Sequence, residues 1–141
     1  MVQYKEENEM DPNEALQGLV DACEKKQKIH TIGEVEQNAR RDFGLINKTQ
    51  IYSFIWNDGL ERPQYIGKSQ WRNNPNPAIE ETVYEFSFYS GLKFGYIAFV
   101  KIEASGFWII KSFKKNTKPN PMSFPLESGL LKWKAQMEGK K

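Results

Sequence analysis

Lysine, tyrosine, arginine, serine and glutamine are the groups in the second half of this chain that could do chemistry. Together they suffice for metal-free cleavage of RNA. That reaction requires a 2′-hydroxyl to be deprotonated, charge on the phosphorane to be stabilised and the leaving 5′-oxygen to be protonated. A lysine or tyrosine with a shifted pKa can exchange protons, and neighbouring cations stabilise the phosphate oxygens. Aromatic side chains can stack on splayed single-stranded bases. Other chemistries find no support. The chain has no glycine-rich phosphate loop of Walker or Rossmann type and no nucleophile elbow. His30 is the only histidine, so a two-histidine ribonuclease site is excluded, and its position between two expected helices reads as surface or structural. Glu80 and Glu81 read as a solvated pair ahead of a strand, and no carboxylates gather in a metal-binding pattern. Tyrosine and lysine also serve packing and solubility in many strands, so a non-catalytic binding surface stands beside the catalytic reading.

The charge is divided unevenly. Residues 1–24 hold seven acids and one base, for a net −6, which leaves +8 on the rest of a chain whose total is +2. Lys93 to Lys141 alone contains ten lysines against Glu103, Glu127 and Glu138. A basic half of this kind suits a polyanionic partner, although a solvated lysine surface has the same composition. The single cysteine, Cys23, excludes a disulfide within one chain and a multi-cysteine zinc site, and it fits a reducing, cytoplasmic setting. No run approaches the apolar length that spans a bilayer, so no membrane association is expected.

These residues need a scaffold, and 141 residues make about one domain. An acidic leader covers 1–10, a helical part 11–59, a loop 60–81, and a sheet with a C-terminal helix 82–141. Asp11-Pro12-Asn13-Glu14 opens the first helix with a capping acid, a proline and a glutamate three residues after the cap. Leu16, Leu19, Val20 and Cys23 form its apolar stripe, which reads Cys23 as core packing. A second helix is expected from Thr31, with Glu34 completing a capping box, Val35, Ala39 and Phe43 on one side, and an end at Gly44. A third starts at Asn47-Lys48-Thr49-Gln50, with Ile46 and Ile51 placed for a hydrophobic staple, Ile51, Phe54 and Ile55 as its buried face and Gly59 as its cap. Residues 60–81 are rich in proline, asparagine and glutamine and read mostly as loop, with room for one short strand at Tyr65-Ile66-Gly67. Val83–Tyr89, Phe94–Lys101 and Phe107–Phe113 alternate as strands joined by short turns, hence antiparallel neighbours. Leu126, Leu130, Trp133 and Met137 mark the terminal helix. The expected fold is α+β: an antiparallel meander of about three strands packed by N-terminal helices and a C-terminal helix.

The order of short motifs carries a resemblance. Phe43-Gly44-Leu45, Gln64-Tyr65-Ile66-Gly67-Lys68-Ser69, Val83-Tyr84-Glu85-Phe86, Gly95-Tyr96-Ile97-Ala98 and Ile110-Lys111-Ser112-Phe113-Lys114 follow one another. Their order resembles the RelE-type superfamily of toxin ribonucleases, and most its MqsR-type branch. The run from Phe113 to Pro119 also resembles phage-related HigB-type toxins. The likeness spans roughly residues 16–120. It implies a RelE-like fold and a toxin of a toxin–antitoxin pair: an endoribonuclease (mRNA interferase) that cuts mRNA, free or ribosome-bound, without cofactor or metal, and is silenced by a cognate antitoxin. It places Lys68, Tyr96 and Lys114 in the active site, with the lysines as phosphate binders or proton donors and Tyr96 as proton shuttle or base orienter. Arg62, Gln70, Trp71, Arg72, Lys111, Ser112, Lys115 and Lys118 are the accompanying RNA-binding candidates. Strand parity groups Ser112 and Lys114 with Trp108 and Ile110, pointing Lys114 off the sheet end beside Tyr96, with Lys111 on the opposite face as first alternative. The chain departs from the pattern at Ala98, where a lysine is expected, and in its scarcity of arginine. A non-catalytic RNA- or protein-binding module on the same basic sheet is the alternative. An antagonist or immunity-type protein is a third reading.

Overall fold

The computed structural model describes residues 10–71 and 81–116. The acidic leader up to residue 9, Arg72, Lys118 and the expected C-terminal helix lie outside the described residues. In chain order the elements are α1 (Pro12–Lys25), β1 (Ile29–Thr31), α2 (Val35–Phe43), α3 (Lys48–Trp56), β2 (Glu61–Gln70), β3 (Thr82–Ser90), β4 (Lys93–Lys101) and β5 (Trp108–Lys115). No helix among them is long and apolar enough to cross a membrane.

The helix starts follow local chemistry. Asp11 Oδ2 accepts from the backbone N–H of Asn13 at 3.0 Å and that of Glu14 at 3.4 Å, satisfying donors that α1 cannot pair internally. The face buried by α1 is Ala15, Leu19, Ala22 and Cys23, with Leu16 and Val20 at its margin. Cys23 is fully buried, and desolvation pushes its thiol up to about 12, so it packs and does not react. At α3, Asn47 Oδ1 accepts from the Gln50 N–H at 2.9 Å as a cap. The Gln50 side chain instead accepts from the Ile46 N–H at 2.7 Å, one residue earlier than a capping box requires, and Ile46 stays exposed while Ile51 is buried.

Thr31 does not open a helix. It ends β1, which lies parallel to β5 with Ile29 opposite Trp108 and Thr31 opposite Ile110. The helix begins at Val35, after Gly33 turns the chain at φ +63°. Three residues are too few for periodicity to announce a strand, and only pairing with β5, far along the chain, makes them one.

The sheet is mixed and five-stranded, in the order β1-β5-β4-β3-β2, where a meander of three was expected. The meander is β3–β4–β5. The addition on its far side, β2, takes ten residues of the segment read as loop. Its register slips between Glu61 and Gln64 and again between Tyr65 and Gly67. Each slip reverses the side-chain phase, so the strand shows no alternation, and Pro63 is tolerated because β2 is an edge.

The three helices of the described residues contribute to one core against one face of the sheet. Tyr84, Phe86 and Phe88 of β3, Ile97 and Phe99 of β4, and Trp108, Ile110 and Phe113 of β5 form the sheet's side of it. Phe113 joins an aromatic cluster within it, with ring centroids 5.1 Å from Phe43, 5.6 Å from Phe88 and 5.8 Å from Phe54. Gly95 is required here: a Cβ at that position would sit 2.3 Å from the Phe88 ring.

Asp42 ties the end of α2 to the end of β5. Its carboxylate accepts two hydrogen bonds from Arg41, at 2.8 and 3.0 Å, and one from the backbone N–H of Lys115 at 2.9 Å. Its own carbonyl accepts from Lys93 Nζ at 2.7 Å. The Arg41 hydrogen bond, opposed by desolvation and helped by Lys115, holds the Asp42 carboxyl down at about 2. A carboxylate depressed below its ordinary value near ~3.9 stabilises the fold above that pH and loses the contribution as pH falls toward 2. Asp42→Asn is therefore expected to cost about 1–2 kcal/mol at pH 7 and to flatten the stability profile between pH 4 and 2, as read by urea denaturation across pH.

Candidate functional site

The face of the sheet turned away from the three helices carries the site, and strand alternation decides what reaches it. On β3 this face receives Val83, Glu85, Ser87 and Tyr89, because Tyr84, Phe86 and Phe88 are committed to the core. On β4 it receives Phe94, Tyr96, Ala98 and Val100. One end of the face is apolar: Trp71, Val83, Ala98 and Val100 are buried together, with Ile102, Ile109 and Tyr96 at the margin. Next along the strands the face turns polar, with Ser69, Glu85, Ser87, Tyr96, Ser112 and Lys114, and Tyr89 pairs with Phe94 beyond them.

Lys114 reaches this face because β5 is bulged. Ala98 pairs with Ser112 but Phe99 pairs with Ile110, which leaves Lys111 as the extra residue. Past the bulge the phase is reversed, so Ser112 and Lys114 leave the face of Trp108 and Ile110 and join Ala98 and Tyr96. Simple parity grouped them with the tryptophan and isoleucine, and this is corrected. The expected neighbour is nevertheless the observed one. Lys114 stands directly opposite Tyr96, its Nζ 5.9 Å from the centre of the tyrosine ring.

Tyr96 is in turn tied to Glu85, its diagonal neighbour across β3, by a side-chain hydrogen bond. Burial, the charge of Glu85 and that hydrogen bond together push the Tyr96 hydroxyl up to about 12. Tyr96 is thus a hydrogen-bond donor throughout the neutral range, and the phenolate needed for base catalysis is suppressed. The second oxygen system of the network is at the edge: Ser69 Oγ donates to Glu85 Oε2 at 3.2 Å. Ser69, Glu85, Tyr96 and Lys114 therefore form a diagonal across four strands, with a carboxylate held from both sides and an ammonium at one end. That arrangement can accept a proton, stabilise an anion and donate a proton within one small area.

The other sequence candidates fall in different places. Lys68 stands opposite Tyr84, out of phase with Ser69, so register sets it on the helix-covered face at the sheet's outer edge. Gln70, opposite Thr82, shares that side. The structure does not bring Lys68 together with Tyr96 and Lys114. Trp71 is a correction: it is 5% exposed within the apolar cluster, with its Nε1 unpartnered among the described residues, and it packs where a substrate contact from a loop was expected. Lys111 is half-buried at the bulge. Lys115 is exposed but pairs with Gly95, in the phase of the core, and its backbone is held by Asp42. Arg62 is exposed on β2 and lies over the Tyr89 ring at 4.4 Å. His30 stacks on Phe107 at 4.8 Å and pairs with Ile109, beside the apolar end of the face.

Glu85 is the residue that reading the sequence missed. Alternation with Tyr84 and Phe86 turns it from the core, but nothing local says that a tyrosine eleven residues later meets it. Among the described residues no three His, Cys, Asp or Glu side chains converge to hold a metal ion. Compared with known proteins, the chain matches no family model, no curated protein and no solved structure, so the chemistry of this face is read from its own geometry.

Proposed function

We propose that the chain is a RelE-type toxin that cuts mRNA as a metal-independent endoribonuclease, and that the Ser69–Glu85–Tyr96–Lys114 diagonal is its active site. The observation that carries this reading is the direct pairing of Lys114 with Tyr96 on the sheet face away from the helices, with Glu85 held beside them. Glu85 is the general base. It takes the proton of a 2′-hydroxyl as that oxygen bonds to the adjacent phosphorus and the bond from phosphorus to the 5′-oxygen breaks. The Lys114 ammonium stabilises the added charge on the phosphorane and protonates the departing 5′-oxygen. The products are a 2′,3′-cyclic phosphate and a 5′-hydroxyl. Tyr96 donates to Glu85 and orients it, the role left to a tyrosine whose own ionisation is pushed beyond the neutral range.

The experiment is primer extension on cellular mRNA after brief induced expression, which detects both free and ribosome-dependent cutting. New 5′ ends at a recurring short sequence, together with growth arrest, are expected. Intact transcripts at confirmed expression would replace this proposal with the non-catalytic binding module, a reading favoured by the separation of Lys68 from the other two residues. In the same assay Lys68→Ala is expected to reduce cutting far less than Lys114→Ala, because register places Lys68 on the opposite face. An antitoxin that covers this face would silence the protein.

A further inference from the structure

We infer that Arg62, Tyr89 and Phe94 form a nucleobase-stacking subsite that seats the base of a single-stranded RNA one nucleotide step from the Tyr96–Lys114 pair. The inference rests on the reading of this face as RNA-acting, and it names how the strand is held there.

Tyr89 and Phe94 are cross-strand partners on the same sheet face as Tyr96, with ring centroids 5.0 Å apart and planes inclined at 52°. Phe94 and Tyr96 are two residues apart on β4, a separation of about 6.8 Å along the strand. The intervening position, Gly95, faces the core, where a Cβ would meet the Phe88 ring. Neither Tyr89 nor Phe94 belongs to either buried hydrophobic cluster, and both are half-exposed. An aromatic pair that the core does not use is uncommon in a chain that otherwise commits most of its phenylalanines to packing.

Arg62 completes the platform. Its guanidinium carbon lies 4.4 Å from the Tyr89 ring centre, a cation–π contact that leaves the residue exposed. The backbone there is held unusually. Arg62 has φ +46°, a left-handed conformation that non-glycine residues rarely adopt. It lies in the first register slip of β2, beside Pro63. The preceding residue is pinned as well, since Glu61 Oε1 accepts from the Gly91 N–H at 3.1 Å, linking the start of β2 to the β3–β4 turn. The slip, the left-handed backbone and the Glu61 hydrogen bond all fall where Arg62 lies over the Tyr89 ring.

A planar cation resting on an aromatic pair presents a flat, positively charged surface. Nucleobases stack on both guanidinium planes and aromatic rings, and the adjoining phosphate is attracted to the charge. Because every base has a π-face, such a surface holds RNA with little regard to sequence. Arginine is specified over lysine, since an ammonium has no plane to stack on. A protein partner could also meet an aromatic and arginine surface, and the test separates the two.

The test uses the full chain and 2′-O-methyl oligoadenylate, which cannot be cut by 2′-oxygen attack, against an abasic chain with the same number of phosphates. Affinity is read by fluorescence anisotropy. The wild-type chain is expected to bind the base-bearing oligomer about tenfold or more tighter than the abasic one. Arg62→Lys, which keeps the charge at an exposed position, and Phe94→Leu are each expected to shrink that ratio several-fold while affinity for the abasic chain barely changes. An unchanged ratio in both variants, with cleavage of mRNA intact, would overturn the subsite and leave the nuclease standing. Failure of the wild-type chain to bind either oligomer, with no cleavage, would remove the RNA reading itself and assign the surface to a protein.

Discussion

Lys114→Ala is expected to lower RNA cleavage by roughly 10²–10⁴-fold, the span over which a positioned proton donor or acceptor acts. Growth arrest on expression should vanish with it. Single-stranded RNA affinity should fall only a few-fold, because one phosphate contact is lost, and the salt dependence of binding should lessen by about one counterion. The split between cleavage and binding is the informative part. Equal loss of both would mean that Lys114 holds RNA and does nothing further, and the binding module would then be the better account. The variant should fold normally, since Lys114 is exposed and its side chain takes no part in the core. Thermal unfolding of Lys114→Ala within a few degrees of the parent would confirm that the cleavage defect is chemical.

One residue earlier the expected outcome is of a different kind. Phe113→Ala should destabilise the domain by about 3–5 kcal/mol. Phe113 is fully buried and its ring meets Phe43, Phe54 and Phe88, so truncation removes contacts from two helices and β3 at once. For a domain whose whole stability is of the order of 5–15 kcal/mol, a loss of that size leaves little margin. Urea denaturation followed by tryptophan fluorescence measures it. A loss under 1 kcal/mol would mean that this aromatic cluster is not the core of the fold. Adjacent positions of one strand thus separate cleanly: 113 serves stability and 114 serves function, because consecutive strand residues face opposite ways.

Much of this was legible in advance, and particular residues show why. The Asp11 cap, the Leu19 and Cys23 face of α1 and the β3–β4–β5 meander follow from interactions within about twenty residues, which periodicity, short turns and capping patterns record. The pairing of Tyr96 with Lys114 was anticipated, though by a parity that the β5 bulge overturns. The sequence could not disclose that bulge, since one unpaired residue leaves no mark in a run such as Ile109-Ile110-Lys111-Ser112. Trp71 was misplaced for a similar reason. A tryptophan beside a polar, proline-rich stretch looks like a loop residue until Val83, Ala98 and Val100 are found beneath it.

By itself the sequence determined the α1 and α3 starts, the β3–β4–β5 runs, the core faces of α1 and β3 and the concentration of lysine in the second half. Hydrophobic period, capping chemistry and charge are properties of neighbouring residues, and they survive in the one-dimensional record. Only the tertiary structure decided which polar residues meet. Register and bulges are set by pairing between strands, and a shift of one residue moves a side chain to the other face. That is why Lys68, in a motif that looked as good as the one at Lys114, lies on the opposite face from Tyr96, while Glu85, which no motif singled out, stands next to it.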